Sequence, residues 1–223
     1  MASTIKAYKG MGMEGGVARW YDRTTRKDMP EFRVLAARIA AAVPPAAQVL
    51  EVAPGPGFLS IELARRGLNV RAVDISKTFV EIARRNAAAE GAPESINVRF
   101  ELGNASALPV ESGSVDFVVC RAAFKNFSEP VKALAEMRRV LSPGGTALVI
   151  DLRRDVRASE ISRYVDGLGV NLLNRVFMRF AFRHMLIGRA YMLEQMRGMA
   201  LEAGWTEPRI DSSPLGFEAW LKK

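Results

Sequence analysis

The sequence predicts one α/β domain around a doubly wound sheet of about seven strands, parallel except for a C-terminal antiparallel hairpin strand. Three observations predict it. After residue 45, apolar runs of strand length alternate with helical patterns, which calls for a mainly parallel sheet covered on both faces. The stretch "EVAPGPG", residues 51–57, joins the first of these runs to the first helical pattern through a tight turn. The chain closes on "GWTEPRIDSSPLGFEAWLKK", which reads as two strands around a Ser-Ser-Pro turn and so as an antiparallel hairpin. A chain of 223 residues is long enough for a substantial single core.

Residues 12 to 43 read as two helices with a break near Asp28 to Pro30. Strands are expected at Gln48–Val52, Asn69–Val73, Asn97–Leu102, Val115–Cys120 and Thr146–Asp151. Helices are expected between them at Leu59–Arg66, Lys77–Ala89 and Val131–Val140, the last stopped by "SPGG", residues 142–145. Beyond Leu152 the rhythm changes. Residues 158 to 200 read as nearly continuous helix, broken near Gly167 to Asn171 and near Gly188. The expected organisation is therefore an N-terminal helical cap (1–45), a core (46–152), a helical insertion with the last helix (153–200) and a terminal hairpin (201–223). The antiparallel strand is expected at the edge of the sheet.

Composition narrows the function classes. The hydrophobic fraction of 49% and charged fraction of 25% are those of a soluble globular protein. No apolar run reaches membrane-span length, and the first sixteen residues lack the apolar core of a signal peptide. The single cysteine, Cys120, allows no internal disulfide, and no Cys/His cluster has zinc spacing, so a cytoplasmic, metal-free protein is expected. The net charge of +8 comes from arginines scattered along helical patterns, which reads as a solvated basic surface ahead of a nucleic-acid footprint. A homodimer is compatible with such a chain.

Candidate binding residues gather at the strand ends. Glu51 closes the first strand, and Gly55 and Gly57 let the following loop approach a ligand where a Cβ would collide. Asp74 closes the second strand, where a carboxylate accepts hydrogen bonds from both hydroxyls of a ribose. Ile75 beside it offers an apolar surface for one face of an adenine. The third strand runs into "GNASALP", residues 103–109, in which Asn104 and the backbone amide of Ala105 suit an adenine edge. After the fourth strand comes "CRAAFKNF", residues 120–127. Four loops thus converge on one crevice at the carboxyl ends of the strands, where open α/β sheets bind ligands.

On these residues the sequence resembles the class I S-adenosylmethionine-dependent methyltransferases. It looks most like the small-molecule branch that includes the ubiquinone/menaquinone-biosynthesis-type enzymes. The resemblance runs over about residues 46 to 152, through "VLEVAPGPG", "AVDIS", "GNASALP" and "EMRRVLSPGGTALVID". It implies a Rossmann-like fold, S-adenosyl-L-methionine as cofactor and methyl transfer to a small molecule. By the same resemblance Glu51 helps hold the amino-acid end of the cofactor, and Gly55 and Gly57 pass under that end and the ribose. Asp74 binds the ribose hydroxyls, while Ile75, Asn104 and Ala105 surround the adenine. Ala53 stands where the family has its first glycine, Pro54 and Pro56 stiffen the turn, and Asn104 replaces a usual aspartate. The alanine is accommodated if φ at position 53 is negative.

A dinucleotide is the competing ligand. Its G-x-G-x-x-G pattern fails here because Ser60 takes the last place, and the charge of Glu51 would face a pyrophosphate. An ammonium group suits that carboxylate better. Methyl transfer from a sulfonium needs alignment and desolvation, and a general base only when the acceptor carries a proton. Catalytic candidates are accordingly few. Tyr21, in "GVARWYDRTT", is expected near the methionine carboxylate with Trp20 beside it, or else packing its helix onto the core. His184, the only histidine, is a candidate base or a structural residue of the insertion.

Apolar positions Leu173, Val176, Phe177, Phe180, Met185 and Ile187 are candidates to line an acceptor pocket or a plain helical core. Arg121 is expected to meet the cofactor carboxylate, a substrate anion or a structural carboxylate, with Lys125 close by. Cys120 is expected buried and inert. The acceptor reads as an O, N, S or activated C atom of a small, aromatic molecule. Two rival readings stay open: RNA methylation through the basic insertion, and a non-catalytic S-adenosylmethionine-binding protein.

Overall fold

The computed structural model describes residues 8–9, 12–89, 97–167, 175–176, 179 and 187–223. Its sheet contains β1 (Gln48–Val52), β2 (Asn69–Asp74), β3 (Val98–Leu102), β4 (Val115–Arg121), β5 (Leu141–Leu152), β6 (Arg209–Ser212) and β7 (Gly216–Lys222). The strand order is β3-β2-β1-β4-β5-β7-β6. The first five strands pair in parallel, and β7 runs antiparallel to both of its neighbours. The seven-stranded mixed sheet is thus the expected one, with one change. The reversed strand lies inside the sheet, between β5 and β6, and β6 forms the edge. Between β1 and β4 the strand order reverses direction, which opens a crevice at their carboxyl ends.

Alternation along β1 sends its residues to two cores. Leu50 and Val52, with Val118 and Cys120 of β4, pack under α5 (Pro130–Val140) and α7 (Leu193–Glu202). Trp205 completes that layer, its indole N–H donating to the Leu134 carbonyl at 3.2 Å. Val49, with Phe117, Val119 and Leu148, packs under α2 (Met29–Ala42) and α3 (Phe58–Ala64) through Phe32, Ile39, Leu59 and Leu63. Fully burying each such side chain contributes about 1.5–3 kcal/mol. Pro30 and Pro130 sit in the first turns of α2 and α5, where the missing N–H removes no helix bond. Helix α4 (Lys77–Ala89) falls where the sequence places it.

The strand β5 begins earlier than the sequence indicates. Leu141 already pairs with Val115, and the next register pair is Thr146 with Phe117, so residues 142–145 bulge from the ladder. Gly144 takes φ +80°, and a Cβ on Gly145 would lie 2.9 Å from Leu141 and 3.0 Å from the Asp116 carbonyl. The Lys223 amide and carbonyl close this bulge onto Gly145 and Gly144, at 2.9 and 3.1 Å.

The N-terminal pair of helices is as expected, with α1 (Gly15–Thr25), a 3-10 turn (Arg26–Asp28) and α2. Ahead of α1, the Glu14 carboxylate accepts the Lys77 and Thr78 amides at 3.0 and 3.1 Å, capping α4. The Lys9 amide donates to the Asn126 carbonyl at 2.6 Å, and Tyr8 bridges Phe127. The described N-terminal residues therefore touch the loops after both β2 and β4.

In the insertion, α6 (Ala158–Gly167) buries Ile161 and Val165 against Ile187 and Leu215. The break expected near Gly188 is present as a 3-10 turn (Ile187–Arg189) and extends through Tyr191. This residue bridges Arg153 in parallel, and its carbonyl accepts the Arg154 amide at 3.0 Å. The tip of β5 takes up its backbone, and α7 starts afresh at Leu193.

Candidate functional site

Glu51 and Asp74 end neighbouring strands and point to one face of the sheet, as the pairing of Glu51 with Ala72 requires. Both are buried. Glu51 accepts the Ser60 hydroxyl from the first turn of α3. Burial pushes its carboxyl up to about 7, against the pull of Ser60 and the charge of Arg121. Asp74 accepts the Gly55 amide at 3.0 Å and the Ser76 amide at 2.8 Å. Burial also pushes it up, to about 6, with these two amides opposing the shift. A carboxylate has about four acceptor sites, so each keeps capacity beyond its protein partners.

The two glycines of the loop differ. A Cβ on Gly57 would lie 2.8 Å from Ala83 and from the Phe100 ring, so this glycine serves packing of the loop against α4 and β3. Packing alone thus requires glycine at position 57. A Cβ on Gly55, at φ +56°, would meet only ordinary van der Waals contacts, with Tyr21 at 3.9 Å and Phe79 at 4.0 Å. The negative φ expected for Ala53 is also corrected. It takes φ +58°, held by its amide bond to the Val73 carbonyl at 2.8 Å. A left-handed alanine costs about 1–2 kcal/mol, which the strand pairing on either side sustains.

Ile75 is 39% exposed and Leu102 is 58% exposed. Both stand at the tips of β2 and β3, where Asp74 pairs with Leu102. The Asn104 carboxamide oxygen accepts the Ser106 amide at 2.9 Å, forming a tight turn that leaves its NH2 group uncommitted to that bond. Ala105 is half-buried against the core.

Tyr21 reaches the loop from α1, edge-on to Phe79 with ring centroids 5.8 Å apart. Burial raises its phenol, and the charge of Arg121 opposes the shift. The packing reading of Tyr21 is met, since its ring packs α1 onto α4, and the same ring would lie 3.9 Å from a Cβ on Gly55. Trp20 is 58% exposed and turns to solvent.

Arg121 forms an ion pair with Glu31 at 2.8 Å and stacks over Phe32 at 4.5 Å. Lys125 does not open onto the crevice. It is buried, with its ammonium 2.8 Å from Asp151 and 2.8 Å from the Ala122 carbonyl, and its amide also bonds Asp151 at 2.8 Å. Asp151 thereby ties the tips of β4 and β5 together. Cys120 is buried, and desolvation pushes its thiol well up, so it is inert.

Among the acceptor-pocket candidates, Ile187 is buried in the small insertion cluster and Val176 is 59% exposed. His184, Leu173, Phe177, Phe180 and Met185 lie outside the described residues. Among the described residues there is no group of three metal-ligating side chains. No described helix is long and apolar enough to cross a membrane. A surface cleft of about 430 Å³ lies between α5 and the end of α7, and none of the residues above line it.

Sequence reasoning missed Ser60, Glu31, Leu102 and Asp151. Ser60 left one signal, a lone hydroxyl in the otherwise apolar start of α3, "FLSI". Asp151 left another, as the acid that closes the expected strand Thr146–Asp151, while Glu31 and Leu102 left none, because their significance depends on which chain segments become neighbours.

Residues 50–149 match the family model described as a methyltransferase domain. The chain is 39% identical over 106 residues to a demethylmenaquinone methyltransferase of Deinococcus radiodurans, covering 47% of this chain and 42% of that protein. It is 32% identical over 121 residues to a ubiquinone biosynthesis O-methyltransferase of Xanthomonas campestris, covering 54% and 48%. The chain thus spans about half the length of the curated relatives it matches. A solved SAM-dependent methyltransferase from Aquifex aeolicus superposes with a TM-score of 0.65 at 19% identity, covering 92% of this chain and 96% of that one. A structure from Methanococcus maripaludis gives 0.75 at 21%, covering 96% and 95%. These likenesses show the shared fold.

Proposed function

With residues 50–149 matching a methyltransferase domain, we propose that this chain is an S-adenosyl-L-methionine-dependent methyltransferase acting on a small, aromatic molecule. The observation that carries the reading is the pair of buried carboxylates, Glu51 and Asp74, at the tips of neighbouring strands, with the Gly55 amide held by Asp74. Asp74 suits the two ribose hydroxyls, and Glu51 suits an ammonium group. Ile75, Leu102, Asn104 and Ala105 offer two apolar walls and polar edge groups to an adenine. Tyr21, Ala53, Gly55, Gly57 and Arg121 surround the amino-acid end. When bound, the cofactor supplies an activated methyl group.

The protein then has to align the acceptor with that methyl and exclude water, which Tyr21 and the residues at the tips of β4 and β5 are placed to do. No general base is assigned; an acceptor without a proton on its reacting atom requires none. The names of the relatives, from demethylmenaquinone and ubiquinone biosynthesis, support a ring-bearing acceptor methylated at carbon or oxygen. Nitrogen and sulfur acceptors belong to the same chemistry. The proposed organisation keeps a cap (1–45), core (46–152), insertion (153–200) and terminal hairpin (201–223), and the proposed setting is cytoplasmic, with a homodimer compatible.

RNA methylation is the weaker reading. Arg153 pairs with Asp155 and Glu160, and Arg175 and Arg179 pair with Asp166, so part of the insertion's basic charge is already engaged. A non-catalytic binding protein would take up the cofactor and methylate nothing. Calorimetry with S-adenosylhomocysteine tests the proposal, repeated on Asp74→Ala. Binding that weakens at least tenfold in the variant supports it. No binding to the wild type, or unchanged affinity in the variant, overturns it.

A further inference from the structure

We infer that Glu31 is a built-in occupant of a carboxylate subsite on Arg121, which the amino-acid carboxylate of the cofactor displaces on binding. This rests on the reading of the crevice as an S-adenosylmethionine site.

Geometry carries it. Glu51 pairs with Val119 in the β1–β4 register, and Arg121 lies two residues further along β4. Both side chains therefore leave the same face of the sheet, the face that α2 and α3 cover. A zwitterion whose ammonium lies against Glu51 presents its carboxylate toward Arg121. Tyr21, standing beside Gly55, borders the same space.

The Arg121 guanidinium is already oriented. Its side chain is 22% exposed and stacks over Phe32 at 4.5 Å, a contact that does not involve Glu31. Glu31 is the loose partner, with a side chain 65% exposed at the start of α2. A planar cation fixed by stacking, holding an exposed carboxylate at 2.8 Å, is a preformed anion site with an exchangeable tenant. The charge of Arg121 also acts on Glu51 and on Tyr21, so it stands within electrostatic reach of both.

The tenancy has a consequence for affinity. Glu31 competes with the cofactor for one guanidinium, so removing its charge makes the cofactor bind more tightly. A structural ion pair with no bearing on the site predicts no such gain.

Calorimetry on the full chain with two probes tests this. S-adenosylhomocysteine carries the amino acid, and 5′-methylthioadenosine lacks it. Glu31→Gln is expected to tighten S-adenosylhomocysteine roughly two- to fivefold, the range an exposed ion pair allows, and to leave methylthioadenosine unchanged. Arg121→Met is expected to weaken S-adenosylhomocysteine about tenfold or more with methylthioadenosine again unchanged, and adding Glu31→Gln to it produces no further gain. Unchanged or weaker S-adenosylhomocysteine binding in Glu31→Gln overturns the inference, as does an Arg121→Met effect equal for both probes. If the wild type binds neither probe, the cofactor reading itself fails. Glu31→Gln lies at an exposed position, so its result stands even where Arg121→Met does not fold.

Discussion

The Gly55 amide donates to the Asp74 carboxylate at 3.0 Å, so the loop after β1 is tied to the tip of β2. The bond uses an acceptor that stays ionised only by virtue of such amides, because burial alone drives Asp74 toward protonation. Glu51 next to it is under the same pressure.

Affinity should therefore depend on pH. A cationic ammonium group favours ionised Glu51, whose carboxyl sits at about 7, and binding should release a proton near neutrality. S-adenosylhomocysteine binding is expected to strengthen between about pH 6 and 8. Measured in buffers of different ionisation enthalpy, the heat should report that release, and Glu51→Gln should flatten the profile. A flat wild-type profile would count against the role given to Glu51.

Stability should run the opposite way. Both carboxyls are raised in the folded chain, Glu51 to about 7 and Asp74 to about 6, so their contribution is fully present below their unfolded values. It is lost as pH rises through about 6 to 7. Glu51→Gln is expected to raise the melting temperature of the ligand-free protein at pH 8 while weakening the ligand, a conflict of the kind functional sites carry. A lower melting temperature in that variant would refute the sign.

The two loop glycines should separate folding from binding. Gly57→Ala drives a methyl into Ala83 and Phe100 at 2.8 Å from a left-handed backbone, and should destabilise by about 2 kcal/mol or more in urea unfolding. Gly55→Ala meets only ordinary van der Waals contacts and should cost the conformational strain of about 1 kcal/mol, while weakening S-adenosylhomocysteine by a larger factor than its stability loss explains.

Ala53 gives a converse test. Glycine relieves the strain of φ +58° but loosens the unfolded chain, so Ala53→Gly should leave the melting temperature unchanged or slightly raised. Ala53→Val, β-branched at the same φ, should lower it by several degrees in differential scanning calorimetry.

Lys125→Met should be among the most damaging substitutions outside the loop. It leaves the buried Asp151 carboxylate without its cation, a loss of about 3–5 kcal/mol where only one partner of a buried pair is removed. Lys125→Met with Asp151→Asn should recover much of that loss in denaturant unfolding, whereas an additive double variant would contradict the assignment.

The sheet, and Glu51 and Asp74 at its strand tips, were legible in the sequence because both signals are local. Period-two apolar runs announce strands, and an acid at the end of each run lands at a strand tip whatever the rest of the chain does. Ala53 shows where this stops, since the sign of its φ is set by the bond to Val73 on a neighbouring strand. Arg121 with Glu31, and Lys125 with Asp151, join residues 90 and 26 positions apart. Nothing in either local stretch distinguishes a ligand-binding cation from one with an internal partner. The break near Gly188 is legible from its glycine, whereas the bridge that Tyr191 makes to Arg153 depends on where the tip of β5 comes to lie.

The interior position of β7 carries a consequence for biosynthesis. Until Gly216–Lys222 has left the ribosome, the outer edge of β5 has no pairing partner, since Thr146 to Leu152 bond only to residues of that strand on this side. A nascent chain holding β1 through β5 therefore presents an unsatisfied apolar ladder for the whole time the insertion is being translated, the kind of edge that recruits chaperones or other nascent chains. Slow codons or a stalled ribosome within residues 153–215 would prolong that exposure and raise aggregation without altering the finished protein.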